Sequence, residues 1–351
     1  MNRRLDIMQS LLAAALCVVL SASCSTIDDD LSDCGKEFVL DYELVLVTNM
    51  SIELQTKLNT PSDAITSEAL RQYLSRIFTD YAHDVDLSFY DTDGDMQRVE
   101  HDQHIMNANQ ASYTIYLPKS EYMHLATANL ADNTLVELTG DEHCPTSKLV
   151  QTTGDTIAPH NTGLFTARLP MQVLSVDKQR FHVNMYIANC AEALVIDPRG
   201  QDIRDIKVFA TGFATQFNIR DSSFVFASHD PIVRADKVHR DGDSLLCYCA
   251  VNFPSHETPL LDDTRSVVET EDPFVTLPGS KTLWQLRVYV TMLNGSTTET
   301  VLSVNKSSRA GQLTVIKGYI TEDGAVHTND ETVGVSVTLD WHQGMDQDVP
   351  L

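Results

Sequence analysis

The feature that most constrains this chain is a repeated alternation of apolar and polar residues in short runs, each closed by a turn-forming pair. In the run from Phe38 to Val47, Phe38, Leu40, Tyr42, Leu44 and Leu46 occupy every second place. A backbone that sends successive side chains to opposite faces turns such a run into a strand with one buried face. Ser112 to Leu117, Val183 to Ile187, Ile206 to Ala210, Ser244 to Val251, Leu283 to Leu293 and Val333 to Trp341 are similar β-branched or aromatic runs. Asp93-Gly94, Pro118, Asp241-Gly242, Asn294-Gly295 and Asp323-Gly324 punctuate the chain. Asn-Gly and Asp-Gly accept the positive φ of tight hairpins. Many short strands with regular turns predict an all-β fold built as two β-sandwiches in tandem.

One segment keeps a different period. Ile65, Ala69, Leu70, Tyr73, Leu74, Ile77, Phe78 and Tyr81 recur at steps of three and four, the apolar stripe of an amphipathic helix. Thr60 before Pro61 reads as a cap followed by proline at the first helical position, with Asp63 in the first turn. This helix is expected in the first sandwich. A loop-rich stretch from Gly154 to Gly163, followed by Leu169-Pro170, marks the expected domain break. The expected division is residues 1–23, 24–36, 37–170 and 171–351.

The N-terminus is read as a targeting segment. Arg3 and Arg4 precede an apolar run from Leu11 to Leu20, then come Ser21-Ala22-Ser23 and Cys24. A basic end, a short apolar core and small residues make a secretory signal. The run is too short for a bilayer, which needs about 20 apolar residues. A cysteine straight after the small residues resembles the bacterial lipobox, which implies a lipid on Cys24 and removal of residues 1–23. The position three before the cysteine is Ser21 where Leu is usual. Asp28-Asp29-Asp30 resembles the surface-export tag of Bacteroidetes lipoproteins, and it is also what a solvated linker looks like.

The formal net charge of -24 argues against a phosphate-neutralising surface, so nucleic acid is not an expected partner. The same charge argues against docking on anionic lipid, which leaves anchoring to the acyl chains. Apart from Cys24, the mature chain holds Cys34, Cys144, Cys190, Cys247 and Cys249, an odd set that is no disulfide framework. Cys247 and Cys249 lie two apart, which puts them on one face of a strand as small core residues.

Asp91-Thr92-Asp93-Gly94-Asp95 has a calcium-loop flavour, but its Gly precedes the third acidic position. A hairpin between Leu87–Tyr90 and Met96–Val99 accounts for it as well. His101 and His104 could pair on a helix around a metal, but polar neighbours point to a loop. No Gly-x-Ser-x-Gly elbow, phosphate-cradling glycine loop or zinc-protease helix is present, so no catalytic residue, metal or cofactor is expected.

The stretch from Cys24 to Gly35 followed by Asp41-Tyr42-Glu43-Leu44 resembles the opening of the FimB-type fimbrial anchor proteins of Bacteroidales. Asp86-Leu87-Ser88-Phe89-Tyr90-Asp91, Asn184-Met185-Tyr186-Ile187-Ala188-Asn189 and the ending Val335 to Trp341 agree in order and spacing. The resemblance implies two transthyretin-like sandwiches, a lipid in the outer membrane, and fimbrial stalk subunits as partners. It also implies that stalk subunits lose their first strand to an arginine-specific protease, which an anchor escapes. No arginine lies between Cys24 and Arg71, and the first basic residues there are Lys36 and Lys57. The expected function is anchoring a fimbrium and limiting its assembly. The alternative is a surface adhesin for glycans or host proteins, with Trp284 or Trp341 lining a groove; core packing is the other role open to both tryptophans.

Overall fold

The computed structural model describes residues 36–47, 58, 60, 63–79, 82–105, 112–141, 144–152, 154, 156–227, 231–238, 243–257 and 282–340. Cys24, Cys34 and Trp341 lie outside these residues. The expected strands are present, and all are joined into four sheets.

The first sheet has seven strands, in the spatial order Arg98–Ile105, Asp84–Asp91, Ser120–Ala128, Phe165–Val173, Gln179–Ile187, Glu37–Val47 and Ser112–Pro118. Phe165–Val173 and Gln179–Ile187 pair only at Phe165–Ile187 and Thr166–Tyr186, after which the two arms part. The sheet folds over on itself there, and its two halves enclose one core. Phe38, Leu40, Tyr42 and Leu44 meet Leu87, Phe89, Leu117, Met171 and Met185 inside it. The alternation read in the first strand therefore becomes a sandwich with one wet face.

The second sandwich packs two five-stranded sheets. One runs Asp236–Lys237, Leu246–Asn252, Cys190–Asp197, Leu313–Ile320, Val326–Thr328; the other runs Val233–Arg234, Ile203–Thr211, Trp284–Met292, Thr297–Val304, Val333–Asp340. Leu194, Ile196, Val208, Trp284, Val288, Leu302 and Ile316 fill the space between them.

A four-stranded sheet is shared. Val136–Asp141 and Cys144–Gln151 come from the first half, Gln216–Asn218 and Ser223–Val225 from the second. Phe217 pairs with Leu149 across the join. Behind it, Tyr90, Leu125, Leu149, Phe217, Ile219 and Phe253 form a separate apolar cluster that both halves supply.

The helix forms as expected but begins later and rests elsewhere. It spans Ala64–Ile77 with Asp63 at the N-cap, while Thr60 lies ahead of it and bonds the Asp63 carboxylate at 2.5 Å. By chain position it belongs to the first half, between strands Glu37–Val47 and Asp84–Asp91. Its apolar stripe lies on the second sandwich: Leu70, Leu74 and Ile77 pack on Ala191, Ala193, Val195, Cys247, Cys249 and Val315. An amphipathic stripe specifies that a helix needs an apolar seat and not which seat. Full burial of each leucine contributes roughly 1.5–3 kcal/mol. Polar contacts fix the seat, with Thr66 donating to Asp243 at 2.6 Å, Tyr73 donating to Asp236 at 2.8 Å, and Lys317 on Asp63 at 2.6 Å. Burial pushes the Asp63 carboxyl up, but the bonds from Lys317 and Thr60 outweigh it and hold it below its ordinary value. The helix ends against Gly163, whose N–H donates to the Ile77 carbonyl at 2.7 Å. A Cβ on Gly163 would come within 2.7 Å of the Phe78 ring, so a glycine is needed at this crossing.

The expected break at Leu169-Pro170 falls inside strand Phe165–Val173. The passage from the first sheet to the second comes between Ile187 and Cys190. Pro170 fits within a strand because only one side of that strand is paired beyond Thr166.

Candidate functional site

The first strand, Glu37–Val47, holds the central position in its half of the first sandwich. On one side it runs antiparallel to Ser112–Pro118, from Glu37–Pro118 to Glu43–Ser112. On the other it runs parallel to Gln179–Ile187, from Leu40–Gln179 to Val47–Tyr186. Its inward side chains are buried and its outward ones face solvent. On the outer face Asp41 faces Arg180 at 3.8 Å, and Glu43 meets His182 at 2.7 Å.

Inside the sandwich Tyr42 is bonded to His124, whose other ring nitrogen meets the Ser88 carbonyl at 3.0 Å. His124 also stacks on Phe89 with ring centroids 4.2 Å apart. Burial lowers the His124 pKa to about 4, despite the Ser88 carbonyl, which raises it. The ring is therefore neutral at neutral pH. Burial likewise pushes the Tyr42 phenol well up. This pair rivets the first strand to the facing half of the folded sheet. Nothing in the sequence spacing linked Tyr42 to His124, because they are joined only by the sheet register.

The second sandwich has its own buried polar centre. Glu192, in strand Cys190–Asp197, accepts from Ser308 at 2.5 Å, Asn252 at 2.8 Å and the Cys190 thiol at 3.1 Å. Burial raises its pKa to about 7, against hydrogen bonds that lower it. In the sequence Glu192 carries one signal, a lone Glu in an otherwise apolar run.

Asp91 to Asp95 forms the tip of the hairpin between Asp84–Asp91 and Arg98–Ile105, as the hairpin reading had it. Asp91 and Asp93 both take the Ser120 hydroxyl, at 2.7 and 3.3 Å. His101 and His104 stand in strand Arg98–Ile105 rather than in a loop, opposite Ser88 and Val85. A run of polar residues reads as loop, yet it suits a sheet edge, where charge deters unwanted pairing. Among the described residues no group of three metal-ligating side chains gathers. Cys247 and Cys249 are free and buried beneath the helix, and burial pushes the Cys247 thiol up to about 12. Trp284 is fully buried, with its indole N–H donating to the Lys306 carbonyl at 2.8 Å, so it lines no groove. No helix of the described residues is long and apolar enough to cross a membrane.

Among the described residues, the arrangement holds a strand and presents sheet edges. The sequence model of a family described as fimbrillin-A associated anchor proteins Mfa1 and Mfa2 matches residues 43–213. The likeness to fimbrial anchor proteins is borne out by that match, and the matched family is one of anchor proteins, not enzymes. No curated protein matches the chain by sequence. Among solved structures, a candidate polysaccharide-binding protein from Bacteroides thetaiotaomicron is 11% identical, with a TM-score of 0.49 over 84% of this chain and 99% of that one. A candidate adhesin from Bacteroides ovatus is 12% identical, with a TM-score of 0.47 over 79% and 86%. The fimbrial anchor protein Mfa2 from Porphyromonas gingivalis is 10% identical, with a TM-score of 0.45 over 86% and 98%.

Proposed function

We propose that this chain, similar over residues 43–213 to fimbrial anchor proteins, tethers a fimbrium to the outer membrane through a lipid on Cys24 and limits its assembly. The observation that carries this reading is the first strand. It is paired on both sides, supplies Phe38, Leu40, Tyr42 and Leu44 to the core, and has no arginine ahead of it back to Cys24. A protein that keeps this strand keeps whatever is joined upstream of it. The lipid therefore stays attached to a sandwich that keeps its own first strand, which is what a permanent tether requires. Two acyl chains hold a protein on a bilayer stably where one does not. Contact with fimbrial subunits runs through strand addition, in which main-chain hydrogen bonds supply the affinity. We place the boundary between the halves at residues 188–189, where the chain leaves the first sheet.

Two measurements test this. Mass spectrometry of the N-terminal peptide from outer membranes is expected to show an acylated Cys24. Pull-down of the intact chain from the same membranes is expected to bring fimbrial subunits with it, and Cys24→Ser is expected to release fimbriae into the medium. An unmodified cysteine, or membranes that yield the chain with no fimbrial subunit, would overturn the reading.

A further inference from the structure

The parting of the two arms at the corner of the first sandwich leaves an opening. Beyond Thr166 and Tyr186 the strands Phe165–Val173 and Gln179–Ile187 no longer pair, so among the described residues each has one side without a partner strand. Among the described residues, no strand other than Glu37–Val47 pairs with residues 179–185. A row of main-chain donors and acceptors is thus open along Gln179 to Met185. At its upper end the row runs into a cleft of about 440 Å³. Arg168 stands on the far arm and Phe224 and Ile219 on the shared sheet, with Asn184 and Tyr186 on the open strand itself and Ala310 at the rim. The Arg168 guanidinium donates to the Arg220 carbonyl at 2.5 Å, which ties the far arm to the turn between Gln216–Asn218 and Ser223–Val225.

The geometry points to this corner as a docking site for an extended segment of a partner protein, which adds to the Gln179–Ile187 edge as a new strand and places every second side chain in the cleft. Three observations select a strand. The first is the unpaired main chain, which only another extended backbone satisfies along its length. The second is the cleft. Among the described residues, neither terminal strand of this sheet, Arg98–Ile105 or Ser112–Pro118, contributes to its lining, whereas Asn184 and Tyr186 of Gln179–Ile187 do. Arg180 and His182 of that strand face Asp41 and Glu43 on the outer face. The third concerns the aromatic rings. A sugar would need several exposed platforms, and among the described residues Tyr186 is the one exposed ring lining the cleft; Phe217 is buried and tilts against the half-buried Phe224 at 4.6 Å. The site is separate from the slot that Glu37–Val47 fills, so the chain can engage a partner without giving up its first strand. The inference rests on the reading above only for the kind of partner.

Hydrogen exchange tests it on the full chain. Amides of residues 179–185 are compared in the purified chain and in outer membranes of the producing cells. We expect exchange at the outward-facing amides to slow about tenfold or more in the membranes. Ala310→Trp, which fills the rim of the cleft from an exposed position, is expected to abolish that slowing and leave the melting temperature unchanged. A photoreactive residue at position 184 is expected to cross-link to one extended stretch of a protein subunit, while one at position 116, on the opposite edge, does not. Equal exchange in both samples, slowing that survives Ala310→Trp, or cross-links to glycan alone would overturn the inference. Any of these with fimbrial subunits still co-purifying leaves the anchor reading intact.

Discussion

The two sandwiches open with strands in the same topological place but in opposite surroundings. Glu37–Val47 and Cys190–Asp197 each run antiparallel to one neighbour and parallel to a strand from late in their own half. The first is buried on alternate residues only, whereas the second is buried at every position but its last. The difference is the helix. It covers the outer face of the second strand and leaves that of the first to solvent. The sequences match: Glu37–Val47 alternates, while Cys190 to Ile196 is almost continuously apolar, the pattern of a strand covered on both faces. The lesson is that one topology accepts either pattern, and the cover decides which is required.

The comparison can be broken most severely at the helix. Leu70→Asp puts an unpaired charge under it, and we expect chemical denaturation to show a loss of about 4 kcal/mol or more. Val45→Asp, on the outer face of the first strand, is expected to stay within about 0.5 kcal/mol. Equal losses would refute the contrast.

Titration sharpens it next. Glu192 keeps its proton in the folded chain to about pH 7, against 4.5 ordinarily. Its contribution is full below about 4.5 and is lost as pH rises to about 7, a fall on the order of 3 kcal/mol. Glu192→Gln is expected to flatten this limb in a series of denaturation curves. His124 has the opposite sign. It resists protonation down to about 4 where an ordinary histidine takes its proton near 6.5. Stability is full above about 6.5 and falls as pH drops toward 4, and His124→Gln is expected to remove part of that acid limb. Part remains because burial also holds His160 down to about 3. The first sandwich thus loses stability as the solution turns acid, and the second as it rises from acid to neutral.

The smallest effect expected is at the exposed ladder of the first strand. Asp41→Asn, which removes a pair at 3.8 Å in open solvent, should change stability by at most about 0.5 kcal/mol. A larger change would mean that the outer face is covered.

What the sequence made legible follows from period. The strands at 112–118, 246–252, 284–292 and 333–340 appear where β-branched and aromatic runs stand. The shared face of Cys247 and Cys249 also follows from spacing alone. Contacts between distant segments were not legible. The seat of the helix depends on a sheet more than a hundred residues away, built around Ala191, Cys249 and Val315. Pro170 read as an end because proline lacks a donor, and only the one-sided pairing of its strand accommodates it. The Tyr42–His124 contact and the open corner beside Gln179–Ile187 have no signature short of the assembled sheet.

The helix has one more consequence, in the order of events during synthesis. A chain made from its N-terminus has Leu70, Leu74 and Ile77 long before Leu313–Ile320, which completes their seat. The first sandwich can close once Gln179–Ile187 has emerged. For the whole interval until the last strands arrive, it carries an amphipathic helix with its apolar stripe bare. That interval is when the nascent protein is most open to wrong partners and most dependent on a chaperone.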